Sequence, residues 1–196
     1  MKTKIKTFSL EHKHAVLSIS AQQIGKNFID ESYLTGFLNN QNAKGIVAVI
    51  NKNVVGFSFF QWCSIEELLK HVFTDKSWLR EIFAHRQRIL IGYRNLTAVT
   101  KDFQSMGIGN MLVGFSIKEL EKKTDTIVNV VWTADNKKNL KNALRKYGLK
   151  LAKKIPCYWK NDSVKRNYEC AVCGLPPCNC SAEIYITQCY PYPPET

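Results

Sequence analysis

The chain has 196 residues, of which 45% are hydrophobic, 22% charged and 11% aromatic. That length and composition can fill one globular core, and they exclude disordered, collagen-like, mucin-like and low-complexity chains. Its longest apolar runs, residues 45–50 and 54–60, fall far short of the roughly 20 residues of a membrane-spanning helix, so no membrane association is expected.

The formal charge of +12 is uneven: residues 137–168 hold eleven cations against one acid, Asp162, and so carry +10 of it. Such a concentration suits a polyanionic partner, whether cofactor phosphates, an acidic protein surface or nucleic acid, or it coats a solvated helix face. Residues 1–13 are basic and lack the apolar stretch of a secretory signal. A cytoplasmic protein is therefore expected, its seven cysteines being thiols or metal ligands.

In chain order, residues 10–24 and 31–38 show amphipathic helical patterns, the second preceded by Asp30 as N-cap. A hairpin follows: a strand at 46–50, a polar turn of Asn51, Lys52 and Asn53, and a strand at 54–62 rich in β-branched and aromatic residues. Two short helices are expected from Ile65, Leu68, Leu69, Val72 and Phe73 and from Trp78, Leu79, Ile82 and Phe83. A third strand at 89–100 runs into a glycine turn at 104–109 and a helix to about 123. A fourth strand at 126–134 leads into a basic helix ending at Gly148, followed by strands at 149–159 and 182–188. Residues 190–196 form a Pro-rich tail. This order of elements is an α/β signature with part of the sheet parallel, in one domain of residues 1–189.

The turn Gln104-Ser105-Met106-Gly107-Ile108-Gly109 opens a helix directly after a strand. Unpaired amides and the positive end of the helix dipole meet there, and glycines let phosphates approach the backbone. A P-loop would need Gly-Lys-Ser/Thr where Asn110 and Met111 follow, and a dinucleotide fingerprint would need glycine at Gln104. What remains resembles the acyl-CoA turn of the GNAT superfamily of N-acetyltransferases. The match extends to Thr97-Ala98-Val99 before the turn, to Val54-Val55-Gly56-Phe57, and to Asn136 through Tyr147-Gly148-Leu149.

The resemblance implies a GNAT-like α/β fold, with a central mixed, twisted sheet of about six or seven strands flanked by helices, residues 64–88 being a helical insertion. It also implies acetyl-CoA as cosubstrate. The backbone from Gln104 to Asn110, including Ser105, Met106, Gly107, Ile108 and Gly109, would hold the pyrophosphate. Thr97, Ala98 and Val99 would pair with the pantetheine arm, and Asn136 would touch the cofactor near its reactive end. A backbone N–H on that strand would stabilise the oxyanion formed when an amine attacks the thioester.

The catalytic pattern departs from the family's. Where many relatives carry a tyrosine near the departing sulfur, this chain has Leu144. Tyr147 is the candidate acid by residue type, but it lies about a turn of helix away and can equally pack against the sheet. The third strand offers no carboxylate base, so a base would come through water or from Glu66, Glu67 or Glu81, each more readily a surface charge. His12, His14, His71 and His85 have no metal-ligand spacing and read as surface residues. Cys63 and Cys157 read as core thiols in apolar strands.

Four thiols, Cys170, Cys173, Cys178 and Cys180, fall within eleven residues, with Gly174, Pro176 and Pro177 turning the chain between the pairs. Cys-x-x-Cys and Cys-x-Cys can close a tetrahedral thiolate shell, and zinc in a structural role suits it best, disulfides or an iron-sulfur cluster being the alternatives. A zinc loop at 168–181 is not part of the usual acetyltransferase pattern, and it falls where the family borders its acceptor cleft. The expected function is an acetyl-CoA-dependent N-acetyltransferase using direct attack by an amine; the sequence does not give the acceptor, and a protein or another acidic macromolecule, such as nucleic acid, is favoured. The alternative is a non-catalytic, zinc-containing module that binds nucleic acid.

Overall fold

The computed structural model of the chain describes residues 2–73, 76–83, 90–124, 126–133 and 138–187. The Pro-rich tail, Asn136 and His85 lie outside the described residues. A short edge strand, β1 (Lys4–Thr7), and a 3-10 turn (Leu10–His12) lead into helices α1 (Lys13–Gln23) and α2 (Glu31–Asn39). Strands β2 (Ala43–Ile50) and β3 (Asn53–Cys63) form the expected hairpin, with Asn51 and Lys52 both at positive φ, the backbone of a tight twisted turn. Asp30 caps α2, accepting the Tyr33 amide at 2.7 Å.

Next come α3 (Ile65–Lys70), α4 (Ser77–Ile82), β4 (Ile91–Val99), α5 (Ile108–Leu120) and β5 (Ile127–Trp132). The chain then continues through α6 (Lys138–Lys146), β6 (Leu149–Ile155), α7 (Lys160–Arg166) and β7 (Ala182–Thr187). Two of these elements were not expected. β1 sits at the sheet edge and carries no apolar alternation, and α7 has no apolar face to give it a period. The strand expected to reach residue 159 stops at Ile155, and Cys157 is exposed at φ 49°, not in a strand core. Cys63 is buried, as expected.

The seven strands form one sheet in the order β1-β2-β3-β4-β5-β7-β6. All neighbours are antiparallel except β4 and β5. On one face α5 and α6 bury Ile108, Leu112, Val113, Ile117 and Leu144 against Ile46, Phe60, Trp62 and Val131. On the other, Val16, Ile19, Leu34 and Phe37 cover Val47, Val49, Phe57 and Phe59, while Leu68, Leu69, Trp78 and Leu79 cover Ile91, Tyr93 and Ile184. Each such side chain contributes about 1.5–3 kcal/mol by leaving water. Among the described residues no helix is long and apolar enough to cross a membrane.

What positions the site is the failure of β4 and β5 to stay together. They pair only over Gly92–Tyr93–Arg94 and Ile127–Val128–Asn129. The register of β3 against β4 shifts between Phe59 and Phe60, where Asn95 is the extra residue. Such a bulge bends and twists its strand. Beyond Arg94 and Asn129, β4 follows β3 and β5 follows β7, so the sheet forks.

Candidate active site

A cavity of about 750 Å³ fills the fork. One side is the edge of β4, from Arg94 through Asn95, Leu96, Thr97 and Ala98 to Val99, and the other is Asn129 to Trp132 of β5. An extended ligand can lie against β4 as an added strand. The far end of that strand is fixed by Gln104, whose Nε2 donates to the Val99 carbonyl at 3.0 Å and to Gln23 Oε1 of α1 at 2.7 Å. Thr97 is fixed by its hydroxyl contact with Ser58 at 2.8 Å.

The turn after β4 bends through two left-handed residues, Ser105 at φ 62° and Gly107 at φ 80°. Gly107 is the N-cap of α5, and a Cβ built there would meet nothing within 4 Å, so the space in front of the helix is open. The first intrahelical bond runs from the Met111 amide to the Gly107 carbonyl. Among the described residues nothing accepts from the amides of Gly107, Ile108, Gly109 and Asn110. Gln104, Ser105, Gly107, Gly109 and Asn110 border the cavity beside Thr97, Ala98 and Val99. Met106 is exposed and Ile108 is buried in the core, so only their backbone can serve a ligand.

His71 lines the cavity and is not the surface residue that its spacing suggests. Its ring stacks on Tyr93 with centroids 5.2 Å apart, its Nε2 lies 3.0 Å from Gln61 Nε2, and Tyr158 Oη donates to its carbonyl at 3.3 Å. Burial pushes its pKa below the ordinary histidine value, which favours the neutral ring. Nothing in the spacing of the sequence marks it, because His71 follows α3 and meets Tyr93 only when the sheet forms. His12 is also buried, closing a capping box with Ser9.

The other proton-transfer candidates lie elsewhere. Tyr147 packs on α5, its hydroxyl so near Gly114 that a Cβ there would sit 2.2 Å from it, and it is not among the residues lining the cavity. Leu144 is buried in the core. Glu67 accepts the Ser64 amide at 3.1 Å, Glu66 lies 3.7 Å from Arg80, and Glu81 is exposed. None of the three lines the cavity.

Part of the cavity wall is built from the cysteine loop. The four sulfurs of Cys170, Cys173, Cys178 and Cys180 lie within 4.8 Å of one another. Contacts of 3.8 Å (Cys170–Cys180), 3.3 Å (Cys173–Cys180) and 4.0 Å (Cys178–Cys173) bracket the roughly 3.8 Å edge of a tetrahedron with about 2.3 Å zinc–sulfur bonds. All four are free thiols, so the donor set fits a closed thiolate site for a soft metal. Gly174 is at φ 75° and closes the first pair through reciprocal backbone bonds with Cys170. Trp132 and Trp159 pack on the cysteines, and Cys170 and Cys178 border the cavity.

Of the basic stretch, Lys141 pairs with Glu183 at 2.9 Å. Arg166 bonds Asp162 and the Phe28 carbonyl between the rings of Phe28 and Tyr168. Arg145, Lys146, Lys150, Lys153, Lys154, Lys160 and Lys165 remain exposed.

No protein-family model and no curated protein matches the sequence. Solved structures do match in fold. The Escherichia coli ribosomal-protein-S18-alanine N-acetyltransferase is 14% identical with a TM-score of 0.61, over 95% of this chain and 93% of that one. Arabidopsis thaliana NAA60 in complex with acetyl-CoA is 9% identical with a TM-score of 0.67, over 94% and 97%. The NatC complex bound to Gag peptide and CoA is 18% identical with a TM-score of 0.60, over 97% and 100%.

Proposed function

We propose that this chain, whose fold is that of the GNAT N-acetyltransferases, moves an acetyl group from acetyl-CoA to an amine of a polypeptide. The observation that carries the reading is the forked sheet whose free β4 edge ends at a helix start with open amides. One end of that groove suits a diphosphate and the other suits a thioester. The similar solved structures include one holding acetyl-CoA and one holding CoA with a peptide, which supports both halves.

The backbone of Gln104 to Asn110 would cradle the pyrophosphate, and Thr97, Ala98 and Val99 would align the pantetheine arm. Asn136 would contact the cofactor near its reactive end. An amide of β4 would donate to the thioester carbonyl as it becomes an oxyanion, in a cleft where a fixed donor outperforms water. The acceptor nitrogen must be neutral to attack, and His71, which lines the cavity, would take its proton. Much of the acceleration then comes from holding the two reactants together.

Cys170, Cys173, Cys178 and Cys180 would hold zinc, which when bound supplies the cross-link that keeps this polar loop folded as a wall of the acceptor site. The exposed lysines of α6, β6 and α7 would favour an acidic protein. Thiols in this state suit the cytoplasm. The test is incubation of the purified protein with labelled acetyl-CoA and separate pools of peptides, small amines and tRNA. Label in the peptide pool is the expected result, and label in none of them, with no saturable acetyl-CoA binding, sinks the reading.

A further inference from the structure

We infer that Arg94 stabilises the thiolate that leaves when the thioester is broken, so that departure of the thiol needs no side-chain acid. This rests on the transferase reading above and assigns one further residue to it. Arg94 is only 3% exposed, yet it borders the cavity at the apex of the fork. Its guanidinium is aimed by three neutral oxygens: Nε donates to Ser116 Oγ at 2.7 Å, an Nη to Thr97 Oγ1 at 2.8 Å, and the other Nη to Asn129 Oδ1. Five N–H groups are available on a guanidinium, so two remain.

No carboxylate pairs with it among the described residues, and burial alone acts on its ionisation. A buried cation without a counter-ion is costly, and proteins seldom retain one unless an anion arrives. The place where that anion arises follows from the groove. Val99 and Gln104 lie at the diphosphate end, so an arm laid along β4 carries its sulfur toward Arg94. The lining on this side of the sheet otherwise offers Val113, Leu140 and Asn129, none of them an acid.

The step balances without an acid. The amine lone pair forms the C–N bond, and the C–S bonding pair leaves on sulfur as a thiolate facing Arg94. The proton of the amine passes through His71 to solvent. The thiolate takes a proton from water when CoA dissociates.

The test needs no acceptor: titrate the thiol of CoA bound to the protein by its ultraviolet thiolate absorbance, with desulfo-CoA as blank. An opposite charge within about 4–6 Å moves an ionisation by roughly 1–3 pH units. Bound CoA should therefore titrate at least about one unit below free CoA, with Arg94→Lys keeping part of the shift and Arg94→Met abolishing it. CoA that binds to the wild-type protein but titrates as it does free in solution overturns the role of Arg94 and leaves the transferase reading intact. Absence of CoA binding overturns both. A wild-type titration without a shift overturns the role even if Arg94→Met does not fold, and Arg94→Lys then carries the attribution.

Discussion

Gly25 and Glu169 approach so closely that a Cβ placed on Gly25 would sit 1.9 Å from the Glu169 carbonyl oxygen. The contact joins the end of α1 to the start of the cysteine loop through two backbone bonds, Glu169 N–H to the Lys26 carbonyl at 3.0 Å and Ala171 N–H to the Ile24 carbonyl at 2.9 Å. Any side chain at position 25 must push the loop off this seat. Gly25→Ala should cost about 1–3 kcal/mol. In a domain of this size that is several degrees of melting temperature, at roughly 2–4 °C per kcal/mol. A variant that melts with the wild type would show that the loop does not depend on the seat.

Metal removal should act on the same wall. Elemental analysis is expected to find one zinc per chain, lost in Cys178→Ser, whereas Cys157→Ser, an exposed thiol, keeps the metal and stays within about 0.5 kcal/mol of the parent. A strong chelator should raise the KM for the peptide acceptor while leaving acetyl-CoA affinity within about twofold, because the cysteines border the cavity from their own loop while the amides that would hold the diphosphate belong to the start of α5. Equal loss of both would show that the metal holds the whole domain together.

What could be read before folding, and what could not, divides by distance along the chain. The turn from Gln104 to Gly109 and the four cysteines were legible because each is a contiguous run whose chemistry is local. The groove was legible only in part: Thr97, Ala98 and Val99 do line it, but the bulge at Asn95 that frees them is a matter of pairing with β3. Arg94 carries no signal in the sequence, and His71 reads as a surface residue. Arg94 is a strand residue until Ser116, Thr97 and Asn129 converge on it from three elements, and His71 sits in an insertion far from Tyr93 in sequence. β1 and α7 have no apolar period because neither buries a full face.

Gly107 separates backbone geometry from charge. Its φ of 80° makes any L side chain strained, but a Cβ there meets nothing within 4 Å. Gly107→Ala should therefore cost about 1 kcal/mol of stability and leave acetyl-CoA binding within a few-fold. Gly107→Glu adds bulk and negative charge where the diphosphate would sit, and should remove measurable binding by calorimetry. Retained binding in the glutamate variant would place the cofactor elsewhere.

His71 should set the acid limb of the pH profile. A base must be neutral to work, and burial holds this imidazole below the ordinary histidine range. Turnover should therefore be level near pH 7 and fall as pH drops through a pKa below about 6.5, while His71→Asn lowers kcat by roughly 10²-fold or more and flattens that limb. Stability has the same sign: the unfolded chain binds a proton that the folded ring resists, so the protein loses stability as pH falls below about 6.5. An unchanged acid limb in His71→Asn would assign the base to another group or to water.

Tyr147 offers the complementary test, because its hydroxyl faces Gly114 on α5 and not the cavity. If thiol departure depends on charge at the fork, Tyr147→Phe should leave kcat within about twofold and the alkaline limb unmoved, since losing one phenolic proton donor in a general-acid role would typically cost 10²-fold or more. Gly114→Ala should displace the ring and cost about 1 kcal/mol of stability, within the usual range for crowding a packed contact, again without a change in kcat. A tenfold or greater fall in kcat for Tyr147→Phe, with the melting temperature unchanged, would mean that the side chain swings into the cleft when acetyl-CoA is bound. Tyr147, not Arg94, would then be the group that meets the departing sulfur.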